Sequence, residues 1–516
     1  MALRSFILIS LFVFCTKPIF AQSTSPSPAP IRSHVERFST IETRAERVEA
    51  EGDARLALNP NDAEALNSRA VARLFLGRYS EAQEDLRRAI SLKPGNSAYQ
   101  ANLGSALWKL GRVDEAIAAE RAAIKLDDKN FTAQYQLGRF LIRLGGRKQV
   151  TEAVDHLRRA LEVDPGKYDV RFELVAAYRG LGETAQASNQ LDFLWDARPS
   201  DPRVFYTSAL LATDRDDLNA AIKDFKEAVR RDPTFFSGWQ DLGVAYIKLK
   251  RWEEAVETFT ELVRLRPDSV EAAYLKALSL YNDGKVEEAE REVRRGLRLN
   301  AGAAEAHTLL GIILASRGNA NSEAIDALSQ AVALNAKSFD AHFYLGRTFY
   351  SVKDYAGAVR ELRLALELDR RHAEARFFLG TALEAAGESN LAMAEYQELL
   401  KIEPESVYGQ LGLGALLVRE GKTDQAIAAL RQAVTKNVQN FEAHFALGRA
   451  YILAGQFAQA VESLRTATSL AAYRADAHYQ LGLALKRLGR VEEAALEFAT
   501  VDKLNREFRT GINNRQ

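Results

Sequence analysis

Residues 236–269 read FSGWQDLGVAYIKLKRWEEAVETFTELVRLRPDS. At helical spacing this is two short amphipathic helices, with a break near Leu249–Arg251 and a stop at Pro267. Trp239, Leu242, Gly243 and Tyr246 share one face of the first helix; Ala255, Phe259 and Leu262 share one face of the second. The same 34-residue figure returns along most of the chain.

One alanine measures the repeat. It stands at Ala82, Ala116, Ala153, Ala187, Ala221, Ala255, Ala289, Ala324, Ala358, Ala392, Ala426, Ala460 and Ala494, and ten of the twelve gaps are 34 residues. The other two are 37 and 35. Twelve positions earlier sits a second small residue, among them Ala70, Gly104, Gly243, Ala277, Gly346, Gly380, Gly414, Gly448 and Gly482. In the longer units it is Gly138 and Gly311, displaced by the extra residues, and only Val175 departs from small. Helices cross about 8–10 Å apart, and a small residue on each partner permits the close end of that range.

The pattern resembles the tetratricopeptide repeat family, with Trp239, Leu242–Gly243, Tyr246, Ala255, Phe259 and Pro267 giving the fullest match. Thirteen units cover residues 63–508. The resemblance implies an all-α, right-handed solenoid of stacked helix–turn–helix units with a concave peptide- or protein-binding face. It implies no chemistry.

A chain of 516 residues would ordinarily suggest several globular domains. A solenoid grows by stacking and needs no single large core. Charges balance, 69 basic against 69 acidic, so no basic stripe points to nucleic acid. Cys15 is the only cysteine and falls in the N-terminal apolar run, leaving the rest of the chain without thiol chemistry.

Arg4, the apolar run Phe6–Cys15 and small Ala21 read as a secretory signal over residues 1–21, with cleavage after Ala21. That run is shorter than the ~20 residues that span a bilayer. The expectation is an exported protein, periplasmic or secreted, with no membrane span after cleavage; the rival is retention as an uncleaved anchor. Residues 22–34 read as a Ser/Pro-rich linker. Val35, Phe38, Ile41, Ala45, Val48 and Leu56 then mark one helix within residues 35–62, ending before Asn59–Pro60 and capping the array. Residues 509–516 read as a disordered tail.

The third unit carries three extra residues around Gly145–Thr151 and the eighth carries one around Gly318–Ser322. Both fall in the turn between a unit's helices, where insertion costs little. The fourth unit, with Val175, Leu194 and Trp195, fits least well. At the far end, the position four past Phe259 turns polar, Thr468 and then Asp502, where Val263, Leu366 and Leu400 are apolar. A buried carboxylate would be costly, so that last face is expected in water.

Of the seven histidines, His307, His342, His444 and His478 hold the position of Trp239 and read as packing residues; no ligand spacing supports a metal. Gly421–Lys422–Thr423 lacks the first glycine of a phosphate loop and its preceding strand. No cofactor and no enzyme activity are expected.

The fifth residue of each unit carries the functional reading: Tyr135, Phe172, Tyr206, Tyr274, Phe343, Phe377, Phe445 and Tyr479 in eight of thirteen. The resemblance places this stripe on the concave groove. One turn on stand Arg139, Arg347 and Arg449, and further along Arg179, Lys248, Arg419 and Lys486. Packing alone would also account for the aromatics. The family's carboxylate-clamp and asparagine-ladder grooves need Asn one turn after the stripe, and none stands there. The reading is a non-enzymatic scaffold or adaptor for a protein or extended peptide in the cell envelope, without nucleic acid as partner. The alternative is an accessory subunit organising an envelope assembly or polysaccharide-export complex.

Overall fold

The computed structural model describes residues 31–318 and 321–509, with side chains from residue 43 to residue 507. The expected signal 1–21, residues 22–30 of the linker and tail residues 510–516 lie outside the described residues. Among the described residues there are 27 helices and no strand. Two compact units meet at Ala289–Glu290, inside the helix Val286–Leu299, and each is described by itself.

The 34-residue mark coincides with helix starts. First helices begin at Ala63, Ser97, Phe131, Tyr168, Pro202, Phe236, Val270, Ala304, Phe339, Ala373, Val407, Phe441 and Ala475. The residue just before each start is often an N-cap. Asn96, Asn130, Ser269, Ser338 and Asn440 all accept hydrogen bonds from backbone amides of the following turn. The turn inside each repeat closes in a left-handed residue, usually glycine, such as Gly455 at φ 72°. There the Gln456 N–H donates to Tyr451 O at 2.9 Å, so a carbonyl left over at the helix end finds a partner.

Packing explains the two small positions. All thirteen register alanines are buried, none more than 2% exposed. Opposite them, a Cβ built on Gly243 would lie 2.4 Å from Phe259 Cζ, and one on Gly346 would lie 2.7 Å from Leu362 Cγ. The glycine leaves room for the large side chain that fills the crossing. In repeat 2 that large position holds Glu120, buried against Gly104 with neither oxygen hydrogen-bonded. At the C-terminal end Asp502 is exposed, whereas Thr468 is buried with its hydroxyl donating to Arg465 O at 3.0 Å.

The N-terminal helix runs Ile31–Leu58, starting inside the stretch read as linker. Ile-Arg-Ser-His after Pro30 contains nothing that stops a helix, so it starts directly after the proline. The helix packs on repeat 1 through Ala45 and Leu56 and through ion pairs. Arg73 and Arg78 both bond Glu49, at 3.0 and 2.9 Å, and Arg69 bonds Asp53 at 2.7 Å.

Candidate binding face

Curvature follows from which helices touch. In the unit ending at Ala289 the first helices of repeats 1 to 5 each touch the next, and in the unit from Glu290 those of repeats 8 to 13 do, whereas second helices of consecutive repeats make no comparable contact among the described residues. Each stack is therefore tighter on the first-helix side, and that side is its inner face. The fifth-position side chains lie along it.

In the unit ending at Ala289, Tyr135 is half-buried beside Phe131 at 5.8 Å with Arg139 over its ring at 5.3 Å. Burial pushes its phenol up to about 12. Phe172 lies under Arg203 at 4.5 Å. Tyr206 packs on Phe235 at 4.8 Å and donates its hydroxyl to Asp241 Oδ2 at 2.7 Å. Tyr274 is half-buried. In the unit from Glu290, Phe343 is buried at 3% exposure among Phe339, Tyr344 and Phe378, so it belongs to the core. Phe377 packs on Tyr408 at 5.3 Å, Phe445 on Phe441 at 5.6 Å, and Tyr479 stands 46% exposed beside Phe498.

The cations read as groove donors mostly have carboxylate partners on a neighbouring repeat. Arg139 bonds Glu173 at 3.1 Å, Arg179 bonds Asp214 at 2.8 Å, Arg347 bonds Glu374 at 3.3 Å, and Arg419 bonds Glu384. Arg347 also lies over Phe378 at 4.5 Å and Phe343 at 5.3 Å, a cation sandwiched by aromatic rings. Sequence reasoning overlooked these acids, although their spacing marked them: Glu173 and Asp214 stand 34 and 35 residues after their arginines, one repeat along the same face. Asp241 stands 35 residues after Tyr206. Burial pushes the Asp241 carboxyl up to about 6, against the pull of the Tyr206 hydroxyl and of Arg179. Arg449 is exposed, touches Phe445 at 5.9 Å, and has no carboxylate partner among the described residues.

The histidines at the Trp239 position do more than pack. Trp239 Nε1 donates to Pro233 O at 2.9 Å, and the Nε2 atoms of His307, His342, His444 and His478 bond the equivalent carbonyls of Ala301, Ala336, Val438 and Ala472. Each side chain thus ties its helix to the turn that precedes it. The other ring nitrogen can reach the second helix: His342 Nδ1 meets Glu361 at 2.8 Å and His478 Nδ1 meets Glu497 at 2.6 Å. Arg376 repeats the double bridge, to Arg370 O and Glu395. Among the described residues no group of three or more His, Cys, Asp or Glu could hold a metal ion, and no helix is long and apolar enough to cross a membrane.

Two family profiles, both described as tetratricopeptide repeat, match residues 67–131, 274–320, 320–370, 345–407 and 454–504, and residues 146–211, 212–279 and 417–472. The chain belongs to the tetratricopeptide repeat family. Among curated relatives it is similar to a BBSome complex member BBS4 homolog of Drosophila melanogaster, 22% identical over 168 residues, 32% of this chain and 35% of that one. It is 26% identical over 297 residues to the human mitochondrial import receptor subunit TOM70, 55% of this chain and 42% of that one. The peroxisomal targeting signal receptor of Saccharomyces cerevisiae matches at 33% over 89 residues, 17% of this chain and 14% of that receptor. The tetratricopeptide repeat chain therefore spans less than half the length of each of these relatives. Among solved structures, one titled as the APC/C hetero-tetramer Cut9–Hcn1 aligns with TM-score 0.47 at 16% identity, over 87% of this chain and 95% of that one.

Proposed function

We propose that this tetratricopeptide repeat protein is a scaffold or adaptor that binds a protein or extended peptide along its first-helix face. The observation that carries the reading is the inner face itself. It presents an aromatic side chain at one fixed register in eight of thirteen repeats, several of them half-buried and reachable and flanked by guanidinium groups. Relatives titled as an import receptor and a targeting-signal receptor support binding of polypeptide segments. No catalytic role enters this reading. The partner lies in the cell envelope, in line with the signal-like segment Arg4–Ala21.

Two experiments test it. N-terminal sequencing of protein from native cells should begin at Gln22; a soluble cytoplasmic product retaining Met1 would remove the envelope from the proposal. Partners captured from an envelope extract are then titrated against Phe172→Ala with Phe445→Ala, chosen because both rings are half-buried. A buried aromatic anchor costs ~2 kcal/mol or more on truncation at an interface, so affinity should fall at least tenfold while helical content is kept. Binding equal to the parent's would move the interface off this face.

A further inference from the structure

In the unit from Glu290 the balance of charge along the first-helix face changes at the C-terminal two repeats. At Arg347 and Arg419 the guanidinium groups are held by Glu374 and Glu384 of an adjacent repeat. On the first helices Phe441–Leu453 and Ala475–Arg487 the arrangement differs. Arg449, Lys486 and Arg487 are exposed, and none has a carboxylate partner among the described residues. The two acids on the same helices, Glu442 and Asp476, are both taken by Arg474, at 3.2 and 2.7 Å. Apolar surface accompanies the free cations: Tyr479 is 46% and Leu453 59% exposed, with Phe445 half-buried between Phe441 and Arg449.

We infer that this C-terminal stretch of the inner face docks an acidic, aromatic-containing internal segment of a partner polypeptide. The inference rests on the scaffold reading above and adds the chemistry of the ligand. Three reasons favour this occupant. The positive charge is spread over two neighbouring helices, which suits carboxylates spaced along an extended chain better than one terminal carboxylate. Exposed Tyr479 and Leu453 lie on the same two helices as those cations, and an aromatic residue of the segment can cover them. The face is the inner one of a curved stack, accessible to a single extended chain and poorly shaped for a flat bilayer or a duplex.

The test uses the whole protein and a synthetic glutamate–tyrosine copolymer, with a lysine–tyrosine copolymer, duplex DNA and phosphatidylserine vesicles alongside. The glutamate–tyrosine copolymer should bind, more weakly as salt rises, because exposed charges carry much of the attraction. Arg449→Glu with Lys486→Glu should cut that affinity at least tenfold, and Tyr479→Ala should cut it further. Arg230→Glu with Lys401→Glu, on exposed second-helix sites, should leave it within twofold. Equal loss from both double variants, preference for the lysine copolymer, or equal binding to DNA or vesicles would overturn the inference. So would a captured partner that depends on Phe172 and Phe445 yet ignores Arg449 and Lys486; that outcome leaves the scaffold reading standing. A captured partner indifferent to all four positions would refute both.

Discussion

At the scale of single residues, the side chain most at odds with its surroundings is Glu120. Every other repeat places Leu, Phe, Tyr or Val at this crossing, such as Leu86, Phe259, Tyr396 and Val293. Burial without any partner raises its carboxyl well above the usual range. A group whose folded value is raised holds its proton in the folded state while the unfolded chain has released it, so stability falls as pH rises from the unfolded value toward the folded one. Glu120→Leu removes that slope. It should also stabilise at neutral pH by more than ~1 kcal/mol, since a buried unpaired polar group costs roughly 1–3 kcal/mol. Leu fits, because Leu430 and Leu464 occupy the same place against Gly414 and Gly448. Urea titrations at pH 5 and pH 8 decide it: a variant no more stable than the parent at pH 8 would mean that Glu120 reaches water. His342 gives a second pH handle. The Glu361 carboxylate raises its imidazole, so its contribution is complete below the unfolded value near 6.5 and is lost as pH climbs through the folded one. His342→Gln should flatten that alkaline loss in the same titrations; an unchanged slope would show the pair to be energetically silent.

At the scale of elements, the turn inside each repeat has one demanding position. Ten repeats fill it with a positive-φ glycine, from Gly77 to Gly489, whereas Asp216, Lys250 and Lys353 adopt φ 60°, 57° and 65° with a side chain attached. The left-handed conformation costs an L residue about 1–2 kcal/mol, and glycine returns about 0.5–1 kcal/mol of that as unfolded-chain entropy. Lys250→Gly and Lys353→Gly should each stabilise by about 0.5 kcal/mol, with Gly455→Lys destabilising; loss of stability in both lysine variants would show that their side chains hold the turn. These turns were legible in the sequence, because helix starts and breaks repeat with the alanines. The thirteen first-helix boundaries coincide with the 34-residue mark for the same reason: one small residue per helix is a strict packing demand. The polar ladder was harder to read. Arg139 and Glu173 lie one repeat apart, so their pairing shows only when the chain is folded onto its own period. Exposure of the stripe was harder still. Phe343 and Tyr479 hold one register position, yet Phe343 is sealed by Phe339, Tyr344 and Phe378 while Tyr479 has no further repeat stacked beyond it among the described residues. Neighbouring side chains decide exposure, and periodicity does not report them.

At the scale of the molecule, among the described residues the helix contacts of each unit run within a repeat or to the adjacent one. Stability is then close to a sum of repeat terms and nearest-neighbour interfaces, and a local defect should stay local. Gly448→Leu supplies such a defect. A Cβ at Gly448 would lie 2.4 Å from Leu464 Cγ, in a repeat whose core includes Leu447, Tyr451 and Leu464. Overpacking of this kind costs typically 1–3 kcal/mol, enough to open one repeat and loosen its two neighbours. Hydrogen exchange under native conditions should show lost protection across residues 407–508 and unchanged protection in the helices between Ala63 and Arg231. Denaturant titration of the variant should split into two phases, the earlier one carrying the smaller dependence on denaturant because it exposes less surface. Uniform loss of protection along the chain would mean that the repeats unfold as one cooperative body. The nearest-neighbour account, and with it the confinement of binding-face variants to their own repeats, would then fail.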